Sequence, residues 1–84
     1  MYKETAMIQE LDIVALTNDI GQYRLKAGDV GTVVHCYDDG DGFEVEFVTA
    51  EGKTVALLTL TTTDIRPIDR AEILHVREIE PVWA

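Results

Sequence analysis

The sequence lacks serine altogether and has one cysteine, two prolines and seven cationic side chains among its 84 residues. The absence of serine excludes a serine nucleophile. The lone Cys36 excludes both an internal disulfide and a zinc site built from cysteines. No apolar run approaches the roughly 20 residues that span a bilayer, and residues 1–20 lack the basic and apolar regions of a signal peptide. We therefore expect a soluble cytoplasmic protein, a compartment in which unpaired thiols are usual.

Negative charge is what the sequence has in excess. Sixteen carboxylates accompany the seven cations, which gives a formal net charge of −9. Such a surface repels the phosphates of nucleic acids and of anionic lipids, so we expect neither nucleic acid nor membrane as a partner. A basic protein is the partner that this charge favours, although negative charge also serves solubility alone.

Strand patterns run through the chain, and no long stretch shows the clear spacing of an amphipathic helix. The clearest strand is FEVEFVT at 43–49, in which apolar residues alternate with Glu44 and Glu46, so that one face is apolar and the other acidic. The pattern at 69–80 is compatible with a strand or a helix and favours an extra C-terminal strand. The other expected strands cover 10–18, 29–37, 54–60 and 65–68, and Thr and Asp at 61–64 suit one helical turn.

Five short strands with these connections predict an all-β fold, a small closed or half-open barrel. The order of the strands and loops resembles the SH3-like barrel, and three segments resemble parts of that fold. Leu25-x-x-Gly28-Asp29 resembles its diverging turn, Glu51-Gly52-Lys53 its distal hairpin and Thr62-Thr63-Asp64 its one-turn helix. SH3 domains bind proline-rich peptides in an aromatic-lined groove, but the corresponding residues 14–18 carry no aromatic side chain. The resemblance therefore implies the fold and not the recognition of proline-rich peptides.

Four stretches carry a further resemblance, at 7–16, 25–34, 44–48 and 64–68. Together they resemble a family of small bacterial proteins, often cyanobacterial, known as domain of unknown function 4926. The family supplies no catalytic residue. Its distant resemblance to the barrel of nitrile hydratase β subunits implies an accessory or partner-binding role. The expected organisation is a flexible N-terminus at 1–6, the barrel at 7–68 and an extension at 69–84 that packs on the barrel or on a partner.

Two groups of residues carry chemistry that an active site or metal site would use. Asp38, Asp39 and Asp41 have the oxygen ligands that hard cations prefer, but the segment is too short to wrap an ion, and Asp and Gly are also ordinary turn residues. His35 and Cys36 are adjacent, so on a strand they face opposite sides and cannot act together as base and nucleophile. We therefore expect no catalytic residue, no metal and no cofactor, and we expect that the protein is not an enzyme.

Apolar residues on both faces of the strand at 54–60 indicate an interface, because a small barrel buries only one face of each strand. The outer face of this strand could be covered by the tail of the chain, by a second copy or by another protein. Trp83, the single tryptophan, either folds back on the barrel or lies at the contact. The apolar residues of the strand are Val55, Ala56, Leu57, Leu58 and Leu60.

These observations predict a non-catalytic module that binds a protein partner, either a basic protein or a second copy. A sharper hypothesis makes it an acidic antitoxin or immunity protein, in which the acidic side chains steer the basic partner. The alternatives are an accessory subunit of an enzyme, by the nitrile hydratase resemblance, and a free-standing homodimeric structural domain. The predicted partner-binding residues are Val55, Leu57, Leu58, Leu60, Trp83, Asp38, Asp39, Asp41, Glu44 and Glu46.

Overall fold

The fold is all-β, as the sequence predicts. The computed structural model describes residues 8–38, 41–69 and 71–80. The expected flexible N-terminus at 1–6 lies outside the described residues. Each strand falls within the range that its sequence pattern predicts. The strands are β1 (Ile13–Leu16), β2 (Val30–Cys36), β3 (Phe43–Val48), β4 (Thr54–Leu60) and β5 (Ile65–Pro67).

All five strands belong to one antiparallel sheet with the order β4-β3-β2-β1-β5. The strands β1 to β4 are neighbours in sequence order, as is usual for strands that follow each other directly. β5 pairs with the other side of β1, where Ile65 lies opposite Leu16. A bulge between Val33 and His35 shifts the register of β2 against β3. The two edges of this sheet are therefore β4 and β5.

The core lies against one side of the sheet, because apolar residues occupy alternate positions along the strands. β3 shows the predicted pattern: Phe43, Val45 and Phe47 are buried, and Glu44 and Glu46 between them are half-buried on the other side. We call the core side the inner face and the opposite side the outer face. The buried apolar cluster consists of Val14, Leu16, Leu25, Val33, Phe43, Val45, Phe47, Ala56, Leu60 and Ile65.

Two glycines adopt left-handed backbone geometry in turns that the sequence predicts. Gly28, in the turn that leads into β2, has a φ of 93°, and Gly52, in the β3–β4 hairpin, has a φ of 90°. A side chain is strained at such angles, whereas glycine adopts them freely. The hairpin is closed by a hydrogen bond from the Thr49 N–H to the Lys53 carbonyl, at 2.8 Å.

The helical turn lies elsewhere than predicted. Among the residues that the structure describes, one 3-10 turn, Gly21–Tyr23, occurs in the long β1–β2 connection. Residues 61–64 form a hydrogen-bonded turn, in which the Asp64 N–H donates to the Thr61 carbonyl at 2.9 Å. The Asp64 carboxylate also accepts a hydrogen bond from the Thr61 N–H at 2.9 Å. This side-chain contact stabilises the turn in place of the predicted helix.

The predicted extra C-terminal strand is not formed by residues 71–80, which we call the tail segment. These residues belong to neither a strand nor a helix. The edge strand that precedes the tail segment in the sequence, β5, has only three residues and includes Pro67. Proline has no N–H to donate to a further strand. The tail segment is instead attached to the sheet by side chains.

Candidate functional site

Two carboxylates lie next to each other on the outer face of β3, and we call Glu44 and Glu46 the acidic strip. The hydroxyl of Thr54 donates a hydrogen bond to Glu46 Oε2 at 2.7 Å, and the hydroxyl of Thr59 donates to Glu44 Oε1. Both threonines belong to β4, the neighbouring edge strand. Because these donors are neutral, they orient the carboxylates without cancelling the negative charge.

An exposed leucine adjoins the acidic strip. Leu57 of β4 lies directly opposite Glu46 in the β3–β4 ladder, and 54% of its surface is exposed. In the sequence it lies between the two threonines that bind the strip, three residues after Thr54 and two before Thr59. The outer face of β3 and β4 therefore presents an apolar side chain bordered by negative charge.

The other apolar residues of β4 that were predicted as contacts are less accessible. Leu60 is only 6% exposed and belongs to the core, and Leu58 is half-buried against it. Val55 is also half-buried against the core. Phe47 lies opposite Ala56 and the next residue, Val48, lies opposite Thr54, so Val55 has no partner residue in the β3–β4 ladder. A bulged residue of this kind is turned away from the regular alternation of the strand. Of the four predicted contact residues of β4, only Leu57 is well exposed.

The aspartate-rich loop follows β2 and leads into β3. Asp38 and Asp41 are exposed, and a hydrogen bond from the Tyr37 N–H to the Gly42 carbonyl, at 2.9 Å, joins the two ends of the loop. Two other predicted contact residues, Asp39 and Trp83, lie outside the described residues. The structure thus places the described part of this loop at the surface, beyond the end of the acidic strip.

His35 and Cys36 have separate surroundings. His35 is exposed, with its Nδ1 3.6 Å from Glu10 Oε2 and its ring edge-on to Tyr37 at a centroid distance of 4.7 Å. Cys36 is half-buried, and its thiol lies 3.8 Å from the Ile8 carbonyl as a weak donor. Burial, together with the carboxylates of Glu10 and Asp12, raises the pKa of the Cys36 thiol. A raised pKa reduces the thiolate fraction on which a reactive cysteine depends.

Metal and membrane features are not observed in the part of the chain that the structure describes. Across 8–38, 41–69 and 71–80, no three His, Cys, Asp or Glu side chains come together in a way that could hold a metal ion. Within the same ranges, no helix has the length and apolar character needed to cross a membrane.

The tail segment is attached by arginine–carboxylate pairs that the sequence analysis missed: two close pairs, and a longer, exposed one between Arg24 and Glu80 at 3.6 Å. At its start, Glu72 Oε1 accepts a hydrogen bond from Arg66 of β5 at 2.8 Å, and Glu72 Oε2 lies 2.7 Å from another nitrogen of the same guanidinium. Nearer its end, Arg77 donates from Nε to Asp29 Oδ1 at 2.8 Å and from a second nitrogen to Oδ2. The same guanidinium donates to the carbonyl of Arg24 at 2.9 Å. Two-pronged pairs of this kind fix geometry as well as attracting charge.

The ionisation of Asp29 reflects this contact. Burial favours the neutral acid, but hydrogen bonds from the Arg77 side chain and the Lys26 backbone N–H, with the charge of Arg77, outweigh it and lower the pKa of Asp29 below its ordinary value of 3.8. Arg66 likewise lowers the pKa of Glu72 through hydrogen bonding, and the Asp69 backbone N–H adds to the shift. Both carboxylates are therefore held in the charged form.

The tail segment leaves large apolar side chains in water. Ile73 is 95% exposed and Val76 is 92% exposed, whereas Ile79 packs against the core cluster. Beneath the segment lies an open groove of about 1280 Å³, whose walls include Val55, Arg77 and Ile79. Pockets for small ligands are smaller, about 300–1,000 Å³, and more enclosed. The groove is thus the space between the tail segment and the sheet rather than a ligand pocket.

Comparison with known proteins gives a family and nothing more specific. No curated protein and no solved structure matches the chain. The profile of one family, described as "Domain of unknown function (DUF4926)", matches residues 10–67. This range includes all five strands and the acidic strip and ends before the tail segment. Because the match extends over more than half of the sequence, the chain belongs to the DUF4926 family.

Proposed function

We propose that this protein is a non-catalytic module that binds a basic protein through the acidic strip and the adjoining Leu57. The observation that carries the proposal is the pairing of Glu44 and Glu46 with Thr59 and Thr54, which fixes two carboxylates on one face of the sheet. Side chains two residues apart on a strand lie about 6–7 Å from each other. Two lysine or arginine side chains of a partner can therefore contact the strip at once.

The overall charge supports this assignment. A net charge of −9 on 84 residues attracts a basic protein at long range and raises the rate of encounter. Leu57 then provides apolar area at the point of contact, where burial of part of one leucine contributes about 1 kcal/mol. Charge in this arrangement steers the partner, and the leucine slows its release.

The proposal includes the setting in which such a module would act. We place the protein in the bacterial cytoplasm, with its five strands arranged as an SH3-like barrel. The β1–β5 pairing and the strand order β4-β3-β2-β1-β5 support that arrangement. An acidic antitoxin or immunity protein is the sharper form of the proposal, because a basic toxin is a partner of the required charge. The proposed contact surface does not include Leu60, because its side chain belongs to the core.

The experiment begins with affinity purification of the tagged protein from its own cells and identification of what it retains. Association with the purified partner is then measured by stopped flow at about 50 and 300 mM salt. The test variant is Glu44→Gln with Glu46→Gln. The matched control is Glu51→Gln with Glu78→Gln, two exposed residues of the β3–β4 hairpin and the tail segment that are not part of the strip and that change the net charge by the same amount.

We expect the strip variant to lower the association rate by about tenfold at low salt and to weaken its salt dependence, with a smaller effect of the control pair. A small basic protein as partner supports the antitoxin form, and a larger enzyme subunit supports the accessory-subunit form. Equal effects of the two variant pairs, or no retained protein, would contradict the proposal.

A further inference from the structure

The two edges of the sheet differ in how they are protected. β5 is three residues long and contains Arg66 and Pro67. Short length, charge, proline and bulges are devices by which proteins prevent an edge strand from pairing with another chain. β4 is seven residues long, TVALLTL, without charge or proline, and its bulge at Val55 lies near its start, so that 56–60 alternate regularly. The less protected edge is therefore β4.

One side of β4 is without a partner in the structure. β3 pairs with β4 along its length, from Val48 opposite Thr54 to Phe43 opposite Leu60. Among the described residues, no strand lies on its other side. In an antiparallel strand, alternate N–H and C=O groups point to each neighbour. About half of the backbone groups of β4 are therefore available to a strand that approaches from outside.

We propose that two copies of this protein pair through their β4 strands, antiparallel and centred on Leu57, to form one continuous sheet of ten strands. In this register Leu57 lies opposite Leu57 of the second copy and Ala56 lies opposite Leu58, and the regular pairing ends at the bulge of Val55. Inner and outer faces match across these three central pairs. No pair brings two like charges together, because the strand carries none.

The position and exposure of Leu57 are the reasons for centring the β4–β4 pairing on this residue. It is the middle residue of β4 and is 54% exposed on the outer face. Directly opposite side chains in an antiparallel pair lie about 4.5–5.5 Å apart at Cβ, so each leucine covers the other. A shift of one residue between the strands would place inner-face residues opposite outer-face ones. The alternation of β4 therefore excludes registers shifted by one residue, and the exposure of Leu57 favours this residue as the centre.

Charge determines how the pairing responds to salt. Each copy carries a net charge of −9, so the two repel each other when charges are poorly screened. The two β3 strands, which carry Glu44 and Glu46, would be three strand spacings apart, about 14 Å. This separation exceeds the screening length of about 8 Å at physiological ionic strength. The dimer is therefore expected to strengthen as salt is added, whereas binding of a basic partner weakens.

The mass of the protein in solution tests the pairing. Sedimentation velocity is measured from about 10 μM to about 1 mM, at about 20 and 300 mM salt. The test variant is Leu57→Lys, which puts two lysines opposite each other at the centre of the join. The matched control is Val48→Lys, which makes the same charge change at a residue of β3 that is 49% exposed. Circular dichroism verifies that both variants fold, and Thr59→Lys replaces Leu57→Lys if that variant does not.

We expect wild type to form dimers more readily at the higher salt concentration, and Leu57→Lys to raise the dissociation constant by at least about tenfold. Val48→Lys is expected to leave it within about threefold. Wild type that stays monomeric at the highest concentration and salt would overturn the proposal. So would a dimer that salt weakens, or equal effects of the two lysines. Leu57 also belongs to the proposed contact with a basic partner, but sedimentation of the purified protein measures self-association alone, and partner binding is tested separately through Glu44 and Glu46.

Discussion

Arg77 joins the tail segment to the turn before β2 by two hydrogen bonds from its guanidinium to the carboxylate of Asp29. The two residues are 48 positions apart in the sequence. Their side chains are 22% and 13% exposed, so the pair is largely shielded from water. The same turn is anchored by the Lys26 N–H, which donates to Asp29 Oδ2 at 2.8 Å. One carboxylate thus fixes both the turn and the tail segment.

Removal of this contact should release the tail segment. We expect Arg77→Ala to lower the free energy of unfolding by about 1–2 kcal/mol, because it leaves a largely buried carboxylate without its charged donor. The heteronuclear NOE of the amides at 71–80 should fall as well. Urea denaturation and ¹⁵N relaxation measure the two effects.

The control for this variant is Arg24→Ala. Arg24 forms an exposed ion pair with Glu80 at 3.6 Å, and exposed pairs contribute about 0–1 kcal/mol. A loss of stability in Arg24→Ala as large as that in Arg77→Ala would show that Asp29 is not the anchor of the tail segment.

Acid should weaken the same contact. Because the folded protein lowers the pKa of Asp29 below 3.8, the carboxylate stabilises the fold in full above that value. The stabilisation is lost as the pH falls through the lower, folded pKa. The difference in unfolding free energy between wild type and Asp29→Asn should therefore be largest near neutral pH and should shrink below about pH 4. Urea denaturation at several pH values measures this difference, and one that stays constant down to pH about 2 would contradict the assignment.

The strands were predictable because their residues alternate with a period of two. Phe43, Val45 and Phe47 show this most clearly, and the structure buries all three. The acidic strip followed from the same alternation, since Glu44 and Glu46 occupy the positions between them. A pattern of this kind depends only on neighbours in the sequence, so it can be recognised without knowledge of the rest of the fold.

Contacts between distant residues were not predictable. Nothing near Arg77 in the sequence indicates Asp29, and the apolar residues of the tail segment suggested a strand that the structure does not form. The bulge that removes Val55 from the ladder depends on how β3 and β4 meet, which the alternation of one strand does not specify. Side-chain pairing across the fold and local register are decided by three-dimensional packing.

Alanine substitutions at two leucines of β4 test which side of that strand faces the core. Leu60 is 6% exposed and Leu57 is 54% exposed. We expect Leu60→Ala to lower the free energy of unfolding by about 2–4 kcal/mol, because it opens a cavity among buried side chains. Leu57→Ala should cost about 0.5 kcal/mol. Denaturation at low protein concentration keeps self-association out of the comparison. Similar losses for the two variants would mean that the strand is oriented differently.

Gly31 of β2 allows the core to close against the sheet. A Cβ at this position would lie 2.7 Å from both Phe47 Cε1 and Val45 Cγ1, closer than such atoms can approach. Gly31→Ala must therefore displace the Phe47 ring or the strand, and we expect a loss of about 1–3 kcal/mol in unfolding free energy. Gly21→Ala is the matched control, because nothing lies within 4 Å of its added methyl group. That control should be neutral or stabilise the protein by up to about 1 kcal/mol. A neutral Gly31→Ala in thermal and urea denaturation would show that Phe47 does not pack on the strand as the structure has it.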